Sequence, residues 1–172
     1  HLGCIARLSP EKGVDLLIEA VKDIPNIHLT IIGTGHDEQH IRKRMRECAS
    51  SSTTYNLQPT TSSVADFYKS LDLFVLPSRD HDPCPLAPIE AMACGVPTIL
   101  TDACGTAEYI ENGKEAIVVK AGSVDELRKA IQQLTSNSLQ LTTLRENGMK
   151  AVQKKFGFER MIENYERLIA GL

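Results

Sequence analysis

The chain has 172 residues, 42% of them hydrophobic and 24% charged, the composition of one globular domain with a sizeable core. Its net charge of −3 supplies no basic footprint for nucleic acid, and no apolar run approaches the ~20 residues that a membrane-spanning helix needs. It opens HLGCIARL, without Met and inside what reads as a strand, so it is expected to be a fragment whose N-terminus lies elsewhere.

In chain order, Leu2 to Ala6 is predicted to be a buried strand, and residues 14–24 place Val14, Leu17, Ile18 and Val21 on one helical stripe. HLTII (28–32) is the next strand, and GTGHD leads into a helix carrying Ile41, Met45 and Cys48. Thr53 to Leu57 is a weak strand followed by a helix over 64–71, and LFVLP (73–77) is a strong buried strand. A short helix follows, with Pro88 suited to its first turn and Gly95 and Pro97 ending it, so that Glu90 is expected in the first turn. PTIL (97–100) and AIVV (116–119) are two more strands with a short helix near AEYI between them; from Val124 onward the pattern is helical. Continuous apolar strands separated by amphipathic helices predict an α/β fold, a Rossmann-like doubly wound parallel sheet of about six strands with helices on both faces and a helical C-terminus.

Five cysteines, Cys4, Cys48, Cys84, Cys94 and Cys104, are odd in number and form no C-x-x-C pair. Four of them sit in or beside apolar runs and are read as small core residues, in a reducing, cytosolic compartment, rather than a disulfide framework or a zinc site. His36 and His40 are four apart, but no third metal ligand lies near them in sequence, and they are read as surface residues. RKRMRE (42–47) reads as a solvated helix face, with peripheral membrane or partner contact as the alternative.

Doubly wound sheets bind ligands beyond the carboxyl ends of their strands, so the strand ends carry the candidate site. After the first strand, Arg7 and Lys12 flank Ser-Pro-Glu ahead of Gly13 and a helix. Two cations at a helix N-terminus suit a phosphate pair. Equally open is a surface Arg7–Glu11 pair with Lys12 solvated. After the second strand, GTGHDE lacks the third glycine of a dinucleotide fingerprint, since Glu38 stands there, and NAD is disfavoured. Gly33 and Gly35 are read as allowing a tight turn and the close approach of a flat ligand. After LFVLPS, Asp82 and Glu90 stand eight residues apart across a proline-stiffened turn and are expected to face one crevice.

GCIARLSPEKGVDLLIEAV, LTIIGTG, FYKSLDLFVLPS and D-x7-EAMACGVPTILTDACGTAEYIENG, in this order and spacing, resemble the C-terminal domain of the family 4 (group 1) retaining glycosyltransferases of GT-B fold; FGFERMIENYERL resembles that family's closing segment. The resemblance implies that residues 1–172 form a single nucleotide-sugar-binding domain, the C-terminal half of a two-domain enzyme. An acceptor glycan or lipid would sit on the N-terminal half. Carried over residue by residue, Arg7 and Lys12 hold the donor's diphosphate, Glu90 bonds the ribose and Asp82 partners the donor sugar. Leu86 and Ala87 offer backbone N–H groups, Leu57 lies in the wall beside the base, and Gly33 lies at the second strand end. Arg7, Lys12 and Asp82 are then the groups nearest the chemistry, with no metal or other cofactor expected. Two departures stand out: Asp82 replaces the usual Glu and reaches one methylene less far, and Pro85 stands where many members have Gly. Pro83 and Pro85 donate no hydrogen bond, which leaves Cys84 and Leu86 to do so. A non-catalytic nucleotide-binding module that has kept the fold is the competing reading. A cytoplasmic location is expected, with membrane association as the variant.

Overall fold

Six parallel strands make one sheet in the order β3-β2-β1-β4-β5-β6, where β1 is Leu2–Ile5, β2 Ile27–Ile32, β3 Thr53–Gln58, β4 Leu73–Leu76, β5 Thr98–Thr101 and β6 Ile117–Val119. The computed structural model describes residues 1–171. The chain winds outward from β1 to β3, returns to the middle at β4, and winds the other way to β6. The order therefore reverses between β1 and β4, which is where doubly wound sheets take their ligands. Both faces of the central strands are covered. This is why LFVL and TILT are buried at every position and show no polar alternation. At the edge, β3 buries only Thr53, in keeping with its weak sequence signal.

Among the described residues there are seven α-helices, α1 Val14–Val21, α2 Glu38–Cys48, α3 Val64–Lys69, α4 Leu86–Ala93, α5 Val124–Thr135, α6 Ser138–Phe156 and α7 Phe158–Ala170, the last of which buries no residue. One core joins Leu17, Ile18, Ile31, Ile41, Val75 and Ile131. The other joins Tyr68, Phe74, Leu76, Met92, Val96 and Leu100. Long α6 serves both, with Leu144 in the first and Val152 against the second. Local chemistry sets several helix starts. Ser63, Ser123 and Asn137 each accept a backbone N–H through the side chain, satisfying donors that the first turn leaves unpaired.

Three expectations shift. The helix predicted over 14–24 ends at Val21. The strand PTIL begins at Thr98 because Pro97 has no N–H for the ladder, although its carbonyl accepts from Phe74 N at 2.9 Å. The helix near AEYI is a 3-10 turn over Gly105–Tyr109.

Candidate functional site

The loop leaving β1 carries the cations. Ser9, Pro10 and a 3-10 turn over Pro10–Lys12 lead to Gly13, which caps that turn and opens α1 at φ 63°. A Cβ at Gly13 would lie 2.2 Å from the Pro77 carbonyl oxygen. The position therefore needs glycine for its left-handed backbone and for the close approach of the chain beyond β4. The two loops are also fastened by Glu11, whose carbonyl accepts from Arg79 N at 2.8 Å.

Arg7 and Lys12 have different partners. Arg7 donates to Glu11 Oε1 at 2.7 Å and its side chain is 66% exposed, so the surface-pair reading describes Arg7. Ser9 donates to the same oxygen at 2.6 Å. That bond first, then the backbone and Arg7 contributions, lowers the Glu11 carboxyl to about 2. Lys12 is not solvated: its Nζ lies 2.6 Å from Asp82 Oδ2, and the two side chains are 19% and 9% exposed. The same Oδ2 accepts from the Ser78 hydroxyl at 2.8 Å. Asp82 is pinned through its main chain as well, its N–H donating to Ala103 O at 3.0 Å and its carbonyl accepting from Gly105 N at 2.9 Å. Ser78, fully buried just beyond β4, accepts the Thr101 hydroxyl on its carbonyl at 2.7 Å.

Helix α4 begins at Leu86, two residues ahead of Pro88. Proline is tolerated throughout the first turn, because the N–H groups there have no intrahelical acceptor. Glu90 is therefore the fifth residue of the helix and lies outside its first turn, which contains no acid. Its Oε2 accepts from the Tyr68 hydroxyl at 2.9 Å, an ion-dipole contact from α3 to α4. Burial first, and then this bond, pushes the Tyr68 phenol well above its ordinary value, so it stays a donor. The N-cap of α4 is Pro85 and its third residue Pro88. Among residues 85–88 this leaves only Leu86 and Ala87 with N–H groups to offer. Leu86 is 63% exposed and Ala87 half-buried.

The glycines after β2 serve the neighbouring loop. A Cβ at Gly33, where φ is 154°, would lie 1.9 Å from the Ala6 carbonyl oxygen, and one at Gly35 would lie 2.0 Å from that of Leu8. What approaches closely is thus the chain leaving β1, stitched there by Leu8 N donating to Thr34 O at 2.9 Å. Leu57 is half-buried on the edge strand opposite Ile31.

The expectation of a metal-free site leans on there being no Asp-x-Asp motif, and that premise is wrong: Asp80-His81-Asp82 has this spacing. Asp82 is committed to Lys12 and Ser78, while Asp80 Oδ1 accepts from His81 N at 2.7 Å. Among the described residues no three His, Cys, Asp or Glu side chains are placed to share an ion. All five cysteines are free. Burial raises Cys4 to about 12, against the opposing charge of Lys12, and it raises Cys104 too. Cys84, between Pro83 and Pro85 and outside any apolar run, is exposed. Sequence reasoning missed Ser78 and Tyr68. The one signal for Ser78 is its place directly after the apolar run of β4, and for Tyr68 nothing local marks a hydroxyl aimed at Glu90.

Lys12 and Asp82 meet where a doubly wound Rossmann-type sheet reverses, the place where such sheets take ligands, while Glu90 is held separately by Tyr68. A family model described as glycosyl transferases group 1 matches residues 2–151, and the chain belongs to that family. It is 31% identical over 153 residues to an uncharacterized glycosyltransferase of Methanocaldococcus jannaschii, spanning 89% of this chain and 43% of that protein. To the lipopolysaccharide core biosynthesis glycosyltransferase LpsE of Rhizobium meliloti it is 25% identical, over 96% and 48% of the two chains. The chain thus spans about half the length of the curated relatives it matches. Anabaena HepE in complex with UDP-glucose superposes with a TM-score of 0.88 at 21% identity, covering 99% of this chain and 48% of that one. TarM of S. aureus in complex with UDP gives a TM-score of 0.85 at 23% identity, over 97% and 34%.

Proposed function

We propose that this chain is the donor-binding half of a retaining glycosyltransferase. It would bind a UDP- or GDP-linked sugar, and a second domain would hold the acceptor glycan or lipid. The observation that carries the reading is the contact of Lys12 with Asp82, on the loop that leads into α4, at the reversal between β1 and β4. Lys12 and Arg7 meet the diphosphate, joined by the N–H groups of Leu86 and Ala87. Glu90, oriented by Tyr68, accepts from the ribose hydroxyls. Asp82 Oδ1, which makes no hydrogen bond among the described residues, is the oxygen left for the donor sugar. In the reaction the glycosidic bond breaks and the nucleoside diphosphate departs. Fixed cations and backbone dipoles then stabilise the charge that develops on it, a contribution that needs no reorganisation at the moment of bond cleavage. No metal enters this scheme.

The requirement for a second domain draws support from α7. Phe158, Tyr165, Leu168 and Ile169 on it are all more than half exposed, and the helix buries no residue, while the relatives carry a further segment of similar length.

A thermal-shift screen of nucleoside diphosphates and their sugars, followed by calorimetry, tests the reading. UDP, the ligand seen in HepE and TarM, comes first, GDP second and NAD as the control. Stabilisation by one nucleoside diphosphate and none by NAD is expected. Absence of binding to either diphosphate would overturn it. Sugar transfer by the full-length protein then separates an enzyme from a binding module that has kept the fold.

A further inference from the structure

We propose that Asp82 is the resident counter-ion of Lys12, held there by Ser78, and that its charge limits how tightly the site holds a nucleoside diphosphate. The inference rests on the binding role proposed above and adds to it a second duty for Asp82, separate from any contact with sugar.

Three observations fix the carboxylate. Its Oδ2 meets Lys12 Nζ at 2.6 Å and the Ser78 hydroxyl at 2.8 Å. Its main chain is bonded at both ends to the segment after β5, through Ala103 O and Gly105 N. Its anchor Ser78 is fully buried and tied to Thr101. A side chain held in this way cannot swing aside when an anion arrives. Gly105 makes retreat harder still, for a Cβ there would lie 2.0 Å from the Pro83 carbonyl oxygen, so the backbone around Asp82 is already at contact distance. The diphosphate must therefore share Lys12 with a carboxylate that stays in place. The other charges on this loop, Arg7 and Glu11, pair with one another and leave the balance at Lys12 to Asp82. A fixed negative charge beside a cation that receives an anion weakens the hold on that anion, and in a partly buried site water screens it poorly. For an enzyme whose leaving group is the nucleoside diphosphate, such a counter-ion favours release.

Asn at position 82 keeps the shape, and its carbonyl still accepts from Lys12 and Ser78, but the charge is gone. The test is calorimetry of wild type, Asp82→Asn, Asp82→Glu and Lys12→Met with UDP, GDP and inorganic pyrophosphate, at low and high salt. Asp82→Asn is expected to bind the preferred diphosphate about tenfold more tightly, ~1.4 kcal/mol, with a steeper loss of affinity as salt rises. Asp82→Glu, which keeps the charge, should stay within about threefold of wild type, and Lys12→Met should bind more weakly. Asp82→Ser serves as the uncharged variant if Asp82→Asn does not fold. Unchanged or weakened binding in the uncharged variant, with the wild-type salt slope, would overturn the counter-ion role while leaving the binding role intact. A wild type that binds none of the three ligands would overturn the binding role, and this inference with it.

Discussion

The contact from Tyr68 to Glu90 allows the ribose role to be tested by separating charge from orientation. Glu90→Gln removes the charge, but the new amide carbonyl can still accept the Tyr68 hydroxyl seen at 2.9 Å, so the side chain stays aimed. If Glu90 accepts ribose hydroxyls, losing the charge-assisted bonds should weaken UDP or GDP binding by about 1–3 kcal/mol, roughly 5- to 150-fold. Tyr68→Phe does the opposite. Tyr68 is 1% exposed and its ring packs edge-on against Phe74 with centroids 5.5 Å apart. Phenylalanine keeps that packing and removes only the donor. Glu90 is exposed and exchanges the lost partner for water, so the cost to stability is about 1 kcal/mol, and affinity falls by less than in Glu90→Gln. Urea denaturation gives the first number and calorimetry the second. An unchanged dissociation constant in a folded Glu90→Gln would refute the reasoning, and a larger affinity loss in Tyr68→Phe would show that the phenol itself touches the ligand.

Gly13→Ala must place a Cβ 2.2 Å from the Pro77 carbonyl at φ 63°; a loss of at least ~2 kcal/mol is expected in urea denaturation, and a loss below ~0.5 kcal/mol would contradict the close approach. Glu11, lowered to about 2 chiefly by the Ser9 hydroxyl, contributes stability that is present above its unfolded value of about 4.5 and lost as pH falls through about 2. A carboxyl 13C titration should find it ionised at pH 3 in wild type and protonating at higher pH in Ser9→Ala; a midpoint near 4.5 in wild type would dismiss the network. The chain alone should bind a nucleoside diphosphate more weakly as salt rises, and Arg7→Ala with Lys12→Ala should remove most of that slope. It should transfer no sugar, since positioning of an acceptor is worth ~7–11 kcal/mol of barrier; robust transfer, or equal slopes, would oppose that view.

The sheet was legible because its strands are short continuous apolar runs, and burial on both faces demands that pattern whatever the ligand. Residue spacing also located the loops after β1 and β4 and the acids on them. Pairing across them was not legible. Arg7 found the local partner Glu11, four residues on, which spacing allows to be foreseen. Lys12 found Asp82 on another strand's loop, and only the strand order brings those loops together. That pair changes the expected behaviour of Asp82: with Lys12 as the proposed diphosphate cation, a carboxylate bonded to it affects plain diphosphates as well as their sugars. Glu90 falls outside the first turn because Pro88 is the third residue of α4, which begins at Leu86, and a proline in the first turn does not say which of its positions it holds. The 3-10 turn at Gly105–Tyr109 likewise begins at a residue bonded across the fold, Gly105 N donating to Asp82 O, a pairing that no local pattern announces.

Why the Lys12–Asp82 pair exists at all bears on the binding role. A largely buried ion pair is a weak stabilising device, because desolvating both charges offsets most of their attraction, and apolar residues of similar size often do as well. The two loops do not need it to stay together. The Glu11 carbonyl already accepts from Arg79 N, and Gly13 already lies against Pro77. If the pair served the fold, replacing both members by apolar residues should loosen the site; if it serves a ligand, the fold should survive and binding should not. The double variant Lys12→Met with Asp82→Leu is expected to unfold within about 2 kcal/mol of wild type, whereas Lys12→Met alone, which leaves the carboxylate with only Ser78, should lose about 3–5 kcal/mol. The double variant should also bind the preferred diphosphate at least tenfold more weakly, since the proposed diphosphate cation Lys12 is gone and only the exposed Arg7 is left on that loop. Paired urea denaturation and calorimetry decide the matter. A double variant as unstable as the single one would make the pair a structural bond, and a double variant that binds like wild type would move the diphosphate site away from Lys12.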